Sequence, residues 1–278
     1  MVQKILQKTE SKEKRKENKG LVLGQSQLLM LSSGKIVSVE ELRDSSLSPS
    51  IISWNDNFTS NSILSIEKSK ADILHLISSH GRNIYCSAST KLVRSPYSAN
   101  KYITAKSINN YPDNFKGSPK EVSACALRHL PYFGAATPSK LYLDSLGSSL
   151  TRAHDKRPNH YIKQWIPSML SSLSKEALSY ILNNFIIPLK TIKHLTPNSK
   201  DIMILLLSKL FISFDGQTRG HKATEGCGTI KLMDNLKDLP LLKKESIRFV
   251  KKIKQDSYKI IFKDNSTPII SGLLVCPK

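Results

Sequence analysis

Short apolar and β-branched runs alternate with polar breaks along the first third of the chain. Between Gln25 and about Ile108 these runs are separated by Gly, Asn, Asp, Ser and Pro, the spacing of strands joined by tight turns. Leu28 to Leu31 and Lys35 to Val39 flank Ser32-Ser33-Gly34, a hairpin signal. The same pattern predicts strands at Ser50 to Trp54, Ser62 to Lys68, Ile73 to Ile77, Asn83 to Cys86, Lys91 to Arg94 and Tyr102 to Ala105.

From Ser118 to about Phe211 the apolar positions take helical spacing. Helices are predicted over Glu121 to Tyr132, Ile162 to Leu170, Lys175 to Ile187 and Lys200 to Phe211. Ser174 is the expected N-cap of the third, and Asn198 or Ser199 of the fourth. After Gly216, the turn Gly226-Cys227-Gly228 leads into a strand from Thr229 to Leu232 and a short helix near Asp234 to Leu242. Strand-like runs follow from Ser246 to Lys254, Ser257 to Phe262 and Ile269 to Val275. An insertion within a split β domain produces this order of β-rich, helical and β-rich segments. The longest apolar stretch, Ile202 to Phe214, is 13 residues long and interrupted by Ser208-Lys209, short of the ~20 residues of a membrane span. No membrane segment is expected.

Charge changes the picture most. The 278 residues carry 42 Lys and Arg against 22 Asp and Glu, a formal net charge of +20, with 39% hydrophobic and 23% charged residues. That is a globular, strongly basic composition of one or two domains, suited to polyanion partners; a basic surface that simply faces water remains the plain alternative. Residues 1–20 are rich in Lys and lack an apolar h-region, so they read as a basic disordered arm and not a secretory signal. The expected location is intracellular, cytoplasmic or organellar. Cys86, Cys125, Cys227 and Cys276 are isolated, which points to reduced thiols without structural zinc. The histidines (His75, His80, His129, His154, His160, His194 and His221) are dispersed and read as surface or packed residues.

Several blocks in order resemble a known family. Leu21 to Leu29 with Gly34-Lys35 and Val39 to Leu42, then Gly81 to Leu92, then Tyr258 to Phe262 and Ile269 to Lys278, resemble the Hint fold of inteins and hedgehog-type autoprocessing proteins. Ala126 to Gly134, Lys163 to Leu170, Ser174 to Glu176, Tyr180 to Ile187 and Ser199 to Leu210 resemble the LAGLIDADG-type homing endonuclease that many inteins carry. The resemblance implies an α+β fold: an all-β Hint-like domain split into residues 21–117 and 243–278 around a LAGLIDADG-like domain at 118–242.

It also implies that the reactive residues are gone. Leu21 stands where the family has its Cys or Ser nucleophile, Ser87 and Thr90 replace a Thr and a His, and Cys276-Pro277 replaces the terminal His-Asn pair. Splicing needs a nucleophile, a base and a cyclising Asn, and Pro277 has no side-chain amide to cyclise. Phe133 and either Ile187 or Pro188 occupy the places of the endonuclease acids. An alternative alignment over Ser208 to Gly216 makes Asp215 the candidate catalytic acid; its plain reading is a strand ending in a turn.

The basic clusters are Lys12 to Lys19, His154 to Lys163, Arg219 to Lys222 and Lys243 to Lys254. The resemblance puts Arg152, Lys156, Arg157 and Lys163 on DNA-facing strands after the first endonuclease helix, with Arg219 and Lys222 equivalent in the second half. Lys251 and Lys252 are added as phosphate contacts. The expected protein is therefore a degenerate intein-type binder of nucleic acid, double-stranded DNA foremost, without splicing or cleavage and without a cofactor or metal. One alternative is an active endonuclease using Mg²⁺, with Asp215 paired to Asp144 or Asp201; the other is a module of a larger assembly that binds RNA or an acidic protein.

Overall fold

The computed structural model describes residues 20–45, 49–94, 101–109, 122–155, 167–217, 228–233 and 241–276. The first part contains β1 (Gly20–Gly24), β2 (Leu28–Met30), β3 (Ile36–Ser38), α1 (Val39–Arg43), β4 (Ser50–Asn55), β5 (Asn57–Ser69), β6 (Ile73–Ser78), β7 (Asn83–Ser87), β8 (Lys91–Val93), β9 (Tyr102–Thr104) and α2 (Ala105–Asn109). The middle contains β10 (Ser123–Leu127), α3 (Lys140–Asp155), α4 (Pro167–Ser172), α5 (Lys175–Ile181), β11 (Thr191–Leu195), α6 (Pro197–Lys209), β12 (Phe214–Gln217) and β13 (Gly228–Leu232). The last part contains β14 (Leu242–Ile253), β15 (Ser257–Phe262), β16 (Thr267–Ile270) and β17 (Leu273–Cys276). The fold is mostly β with a few helices.

Fourteen strands form one antiparallel sheet in the order β3-β2-β16-β4-β5-β15-β1-β7-β6-β14-β10-β17-β8-β9, and a further β16–β17 pairing closes the circuit between its two arms. β1 lies between the late strand β15, in register from Gly20 opposite Ile261 to Gly24 opposite Ser257, and β7, through Leu23 opposite Cys86. Strands from both ends of the chain thus interleave. Closure of this kind satisfies backbone groups that an open sheet leaves at its edges. β11, β13 and β12 form a separate three-stranded sheet.

The hairpin expected around Ser32-Ser33-Gly34 forms as β2 and β3, and the strands expected between Ser50 and Ala105 all form, with β5 extending further in both directions. Ser174 caps α5 by accepting from the Ala177 amide at 3.2 Å.

Four elements differ from expectation. The helix expected over Glu121 to Tyr132 is the strand β10, in which Ala124 to Leu127 are all buried between β14 and β17. A short apolar run covered on both faces has no period that distinguishes helix from strand. Where DNA-facing strands were expected around Arg152, the chain is the helix α3, with Leu143, Leu146 and Leu150 turned toward the core at i, i+3, i+7 spacing. The helix from Lys175 leaves α geometry at Leu182, running through a π-helical turn to Ile186 and a 3₁₀ turn that contains Pro188. The final run breaks at Ser271-Gly272, both at positive φ (50° and 80°), into the β16–β17 hairpin.

Other differences are smaller. Thr196 caps α6 in place of Asn198 or Ser199, with Pro197 in the first turn where its missing N–H is harmless. Leu242 begins β14 instead of ending a helix, while 234–240 lie outside the described residues.

α6 is apolar all round: Ile202 to Leu207 are each no more than 2% exposed. Each such side chain contributes about 1.5–3 kcal/mol relative to exposure, which explains why the helix lies inside the molecule. Its ends carry buried polar groups that fix its position. Lys209 donates to the carbonyls of Gly34 (2.6 Å) and Ser171 (3.2 Å), and burial lowers its ammonium pKa to about 8. Gly34 has φ 86°, and a Cβ there would collide with the Phe133 carbonyl.

Gly34→Ala is therefore expected to lower stability by roughly 2–5 kcal/mol, combining the left-handed backbone cost with overpacking. Urea unfolding of the two proteins measures it; an unchanged midpoint would contradict the packing described.

Candidate functional site

Two neighbouring places carry polar chemistry inside the closed sheet. The first is where Leu21, Ser87, Thr90 and Cys276, the residues expected at family splicing positions, approach one another. Thr90 sits in the turn between β7 and β8, and its Oγ1 reaches the Val22 carbonyl at 3.5 Å, one residue past Leu21. Ser87 Oγ is 3.2 Å from Thr90 Oγ1 and 3.0 Å from Ser89 Oγ. On the other side Lys91 is directly opposite Cys276 in the β8–β17 pairing. Leu21, Ser87, Thr90 and Cys276 are thus drawn to one locality by β1, β7, β8 and β17, while Pro277 lies outside the described residues.

What gathers there is an apolar side chain, two hydroxyls and thiols. Leu21 is 2% exposed and apolar. The hydroxyls of Ser87 and Thr90 hydrogen-bond to each other with no imidazole or carboxylate among these contacts to take a proton. The neighbouring Cys86 thiol is pushed up to about 12 by burial, against a smaller downward pull from Thr90, so it stays protonated at neutral pH.

The second place was not foreseen. Arg82, just before β7, is completely buried. Its Nε donates to Glu245 Oε1 at 3.1 Å, Nη1 to the Ser271 carbonyl at 2.9 Å and Nη2 to the Leu127 carbonyl at 3.2 Å. The guanidinium carbon lies 5.6 Å from the Phe214 ring centroid, and Lys243 Nζ joins Glu245 Oε1 at 2.9 Å. Burial alone would raise the Glu245 pKa, but Arg82, Lys243 and His80 together bring it down to about 2. A Cβ on Gly272 would collide with Arg82 Nη1, so the turn and the guanidinium require each other.

A further chain of hydrogen bonds continues from this point. Asn83 donates its backbone N–H and its Nδ2 to Asp201 Oδ1 at 3.0 and 3.1 Å, tying β7 to α6. Asn83 Oδ1 faces His75 Nε2 at 2.8 Å, and the His75 ring stacks on Tyr85 at 4.8 Å. Because Asn83 presents its carbonyl oxygen, His75 carries its proton on Nε2. Burial lowers its pKa to about 4. Gln27 accepts from the Tyr85 amide at 2.8 Å and donates to Ser271 Oγ at 3.0 Å, which returns the chain to the Arg82 turn. Burial raises Asp201 to about 7 despite the opposing pull of Lys200 and Asn83.

None of this forms a relay for catalysis. His80 Nδ1 is 3.2 Å from Ser79 Oγ and 3.8 Å from Glu245 Oε1, so both contacts fall on one ring nitrogen, whereas a nucleophile–base–acid arrangement uses both. The carboxylates named for nuclease chemistry are engaged separately. Asp215 lies within β12 opposite Lys231, inside a strand and not at its closing turn; Asp144 accepts from Tyr180 Oη at 2.6 Å; Asp201 serves Asn83. Among the described residues no group of three or more His, Cys, Asp or Glu could hold a metal.

Of the predicted nucleic-acid contacts, Lys251 and Lys252 are exposed on β14, opposite His75 and Leu74 of β6, after a register shift beyond Phe249. Lys244 and Arg248 are exposed on the same strand, whereas Glu245 and Ile247 turn inward. Arg152 belongs to α3, and Lys156, Arg157, Lys163, Arg219 and Lys222 lie outside the described residues. Among the described residues no helix is long and apolar enough to cross a membrane. The sequence signal for the second place was present in His75 within an apolar strand, in Arg82-Asn83 before another, and in Lys200-Asp201 at the head of an apolar helix.

No family model matches the chain, and no curated protein matches it. Among solved structures it is similar to a variant of the Ssp DnaB mini-intein, at 9% identity over 93% of this chain and 95% of that one, with a TM-score of 0.41. A mutant of that variant matches at 8% identity over 93% and 99%, with a TM-score of 0.37. A DnaB intein from Synechocystis sp. PCC 6803 matches at 10% identity over 92% and 98%, with a TM-score of 0.34.

Glu245→Gln is expected to cost about 3–5 kcal/mol, because Arg82 and Lys243 lose their buried counter-charge; the urea midpoint reads this. Asp201→Asn keeps the acceptor for Asn83 but cannot ionise. Since the folded pKa lies above the unfolded one, Asp201 favours folding most below pH 4 and that advantage is lost as pH rises through about 7. The stability of the native protein relative to Asp201→Asn should therefore fall between pH 4 and pH 8; a constant difference would contradict it.

Proposed function

We propose that this chain is a degenerate Hint-like β fold that binds nucleic acid through basic side chains and carries out neither splicing nor strand cleavage. The observation behind the first half is the meeting of β1, the β7–β8 turn and β17 at Leu21, Ser87, Thr90 and Cys276, where hydroxyls and a buried thiol have no base among their described contacts. Transfer chemistry there would need an activated nucleophile. Nuclease chemistry through Asp215 is not part of this reading, since each candidate carboxylate is held in separate surroundings.

The binding half is supported by the net charge of +20 and by the exposed Lys244, Arg248, Lys251 and Lys252 along β14. A row of cations on one strand can follow a phosphate backbone without reading its sequence. Arg152, Lys156, Arg157, Lys163, Arg219 and Lys222 remain candidate contacts from the sequence, and double-stranded DNA remains the first ligand to test.

Binding of a labelled duplex should weaken linearly in log–log form with salt, by about 0.9 per phosphate neutralised. Lys251→Gln with Lys252→Gln should reduce that slope by up to about 2 while leaving the urea midpoint nearly unchanged. Absence of binding at low salt would overturn the proposal. Prolonged incubation should leave the mass of the full chain unchanged; spontaneous cleavage near Leu21 or Cys276 would overturn the statement that splicing-type chemistry is absent.

A further inference from the structure

Four aromatic rings follow one another from the β4–β5 hairpin to the end of α6. Trp54 meets Phe58 edge-on with centroids 5.2 Å apart, Phe58 lies 6.4 Å from His129, and His129 lies 4.4 Å from Phe211 at an interplanar angle of 33°. Trp54, Phe58 and His129 are partly buried, whereas Phe211 is 57% exposed. Burial lowers the His129 pKa, which favours an uncharged ring.

Phe211 also occupies an unfavourable backbone. The Ile212 amide bonds back to the Leu207 carbonyl at 3.0 Å while Phe211 has φ 60°, the Schellman ending of α6 with Phe211 at its left-handed position. Glycine takes that position without strain, and a bulky side chain is disfavoured there. Burial does not account for a phenylalanine here, since more than half of it is in water. A ring backed by a second ring and exposed on its remaining surface is the geometry on which nucleic-acid bases stack.

We propose that Phe211, supported by His129, is a stacking platform for the unpaired bases of single-stranded nucleic acid. This rests on the nucleic-acid reading above and deepens it, naming a strand whose bases are free. The net charge of +20 supplies attraction to any phosphate backbone. Duplex DNA keeps its bases stacked inside and cannot use the ring without being opened.

The test compares a labelled oligothymidine, the same backbone with abasic sites, and a duplex of matched length, at one salt concentration. Phe211→Gly should fold at least as stably as the native protein, because it relieves the left-handed position. It should bind oligothymidine about 5- to 150-fold more weakly, the range of one lost base–aromatic stack. Phe211→Tyr should bind as the native protein does, and affinity for the abasic strand and the duplex should not change with either variant. If Phe211→Gly binds oligothymidine as tightly as the native protein, the platform is overturned while nucleic-acid binding stands. If the native protein binds none of the three, the underlying binding proposal fails and the platform with it. Equal weakening on all three ligands would also overturn the platform, since it would mark a general loss of charge or fold.

Discussion

The burial of the Arg82 guanidinium is the constraint on which the rest of the fold depends. A cation with no access to water must be neutralised and hydrogen-bonded on the spot, because its desolvation alone costs several kcal/mol. Three parts of the chain remote in sequence meet that demand: Glu245 from β14, the Leu127 carbonyl at the end of β10 and the Ser271 carbonyl in the β16–β17 turn. Those partners are available together only when the sheet has closed with its strands in this register. A slip of one residue would turn Glu245 to the opposite face. The buried charge thus selects one arrangement among the many that apolar strands alone would permit.

The same interior sets what surrounds Thr90. The contacts about Thr90 are polar: burial holds the Cys86 thiol protonated, and the hydroxyls of Ser87 and Thr90 share a bond. Asp201, His75 and Glu245, whose titration is strongly displaced, belong instead to the network that fastens β6, β7 and β14 to α6. A perturbed pKa often marks an active centre. Here the displaced groups are explained by burial among fixed partners, so they report structure.

Much of the architecture was readable where strands alternate and turns carry Gly, Ser or Asn, and the β2–β3 hairpin and the capped start of α5 follow from those local rules. Legibility failed where tertiary cover overrode local pattern. Ser123 to Leu127 carries no period, and only the strands on either side determine that it is extended. α3 went unread because its serines and threonine mask a sparse apolar stripe. At the candidate site, Leu21, Ser87, Thr90 and Cys276 were singled out only through the family-like blocks, and the β8–β17 pairing that puts Lys91 opposite Cys276 is a long-range contact. The Arg82 network was not singled out, because hydrogen-bond partners 45 to 189 residues apart leave no spacing in a sequence to be read.

Closing the sheet with strands from the far end of the chain also determines when it can assemble. β1 cannot be flanked on both sides until β15 exists, and the circuit is completed only by β16 and β17. During synthesis, more than two hundred residues therefore leave the ribosome before the first strand finds its late partner. Pairings of such long sequence separation form slowly. Until then the early strands keep unpaired edges and Arg82 lacks the Ser271 carbonyl, a prolonged window in which association with another chain competes with completion of this one.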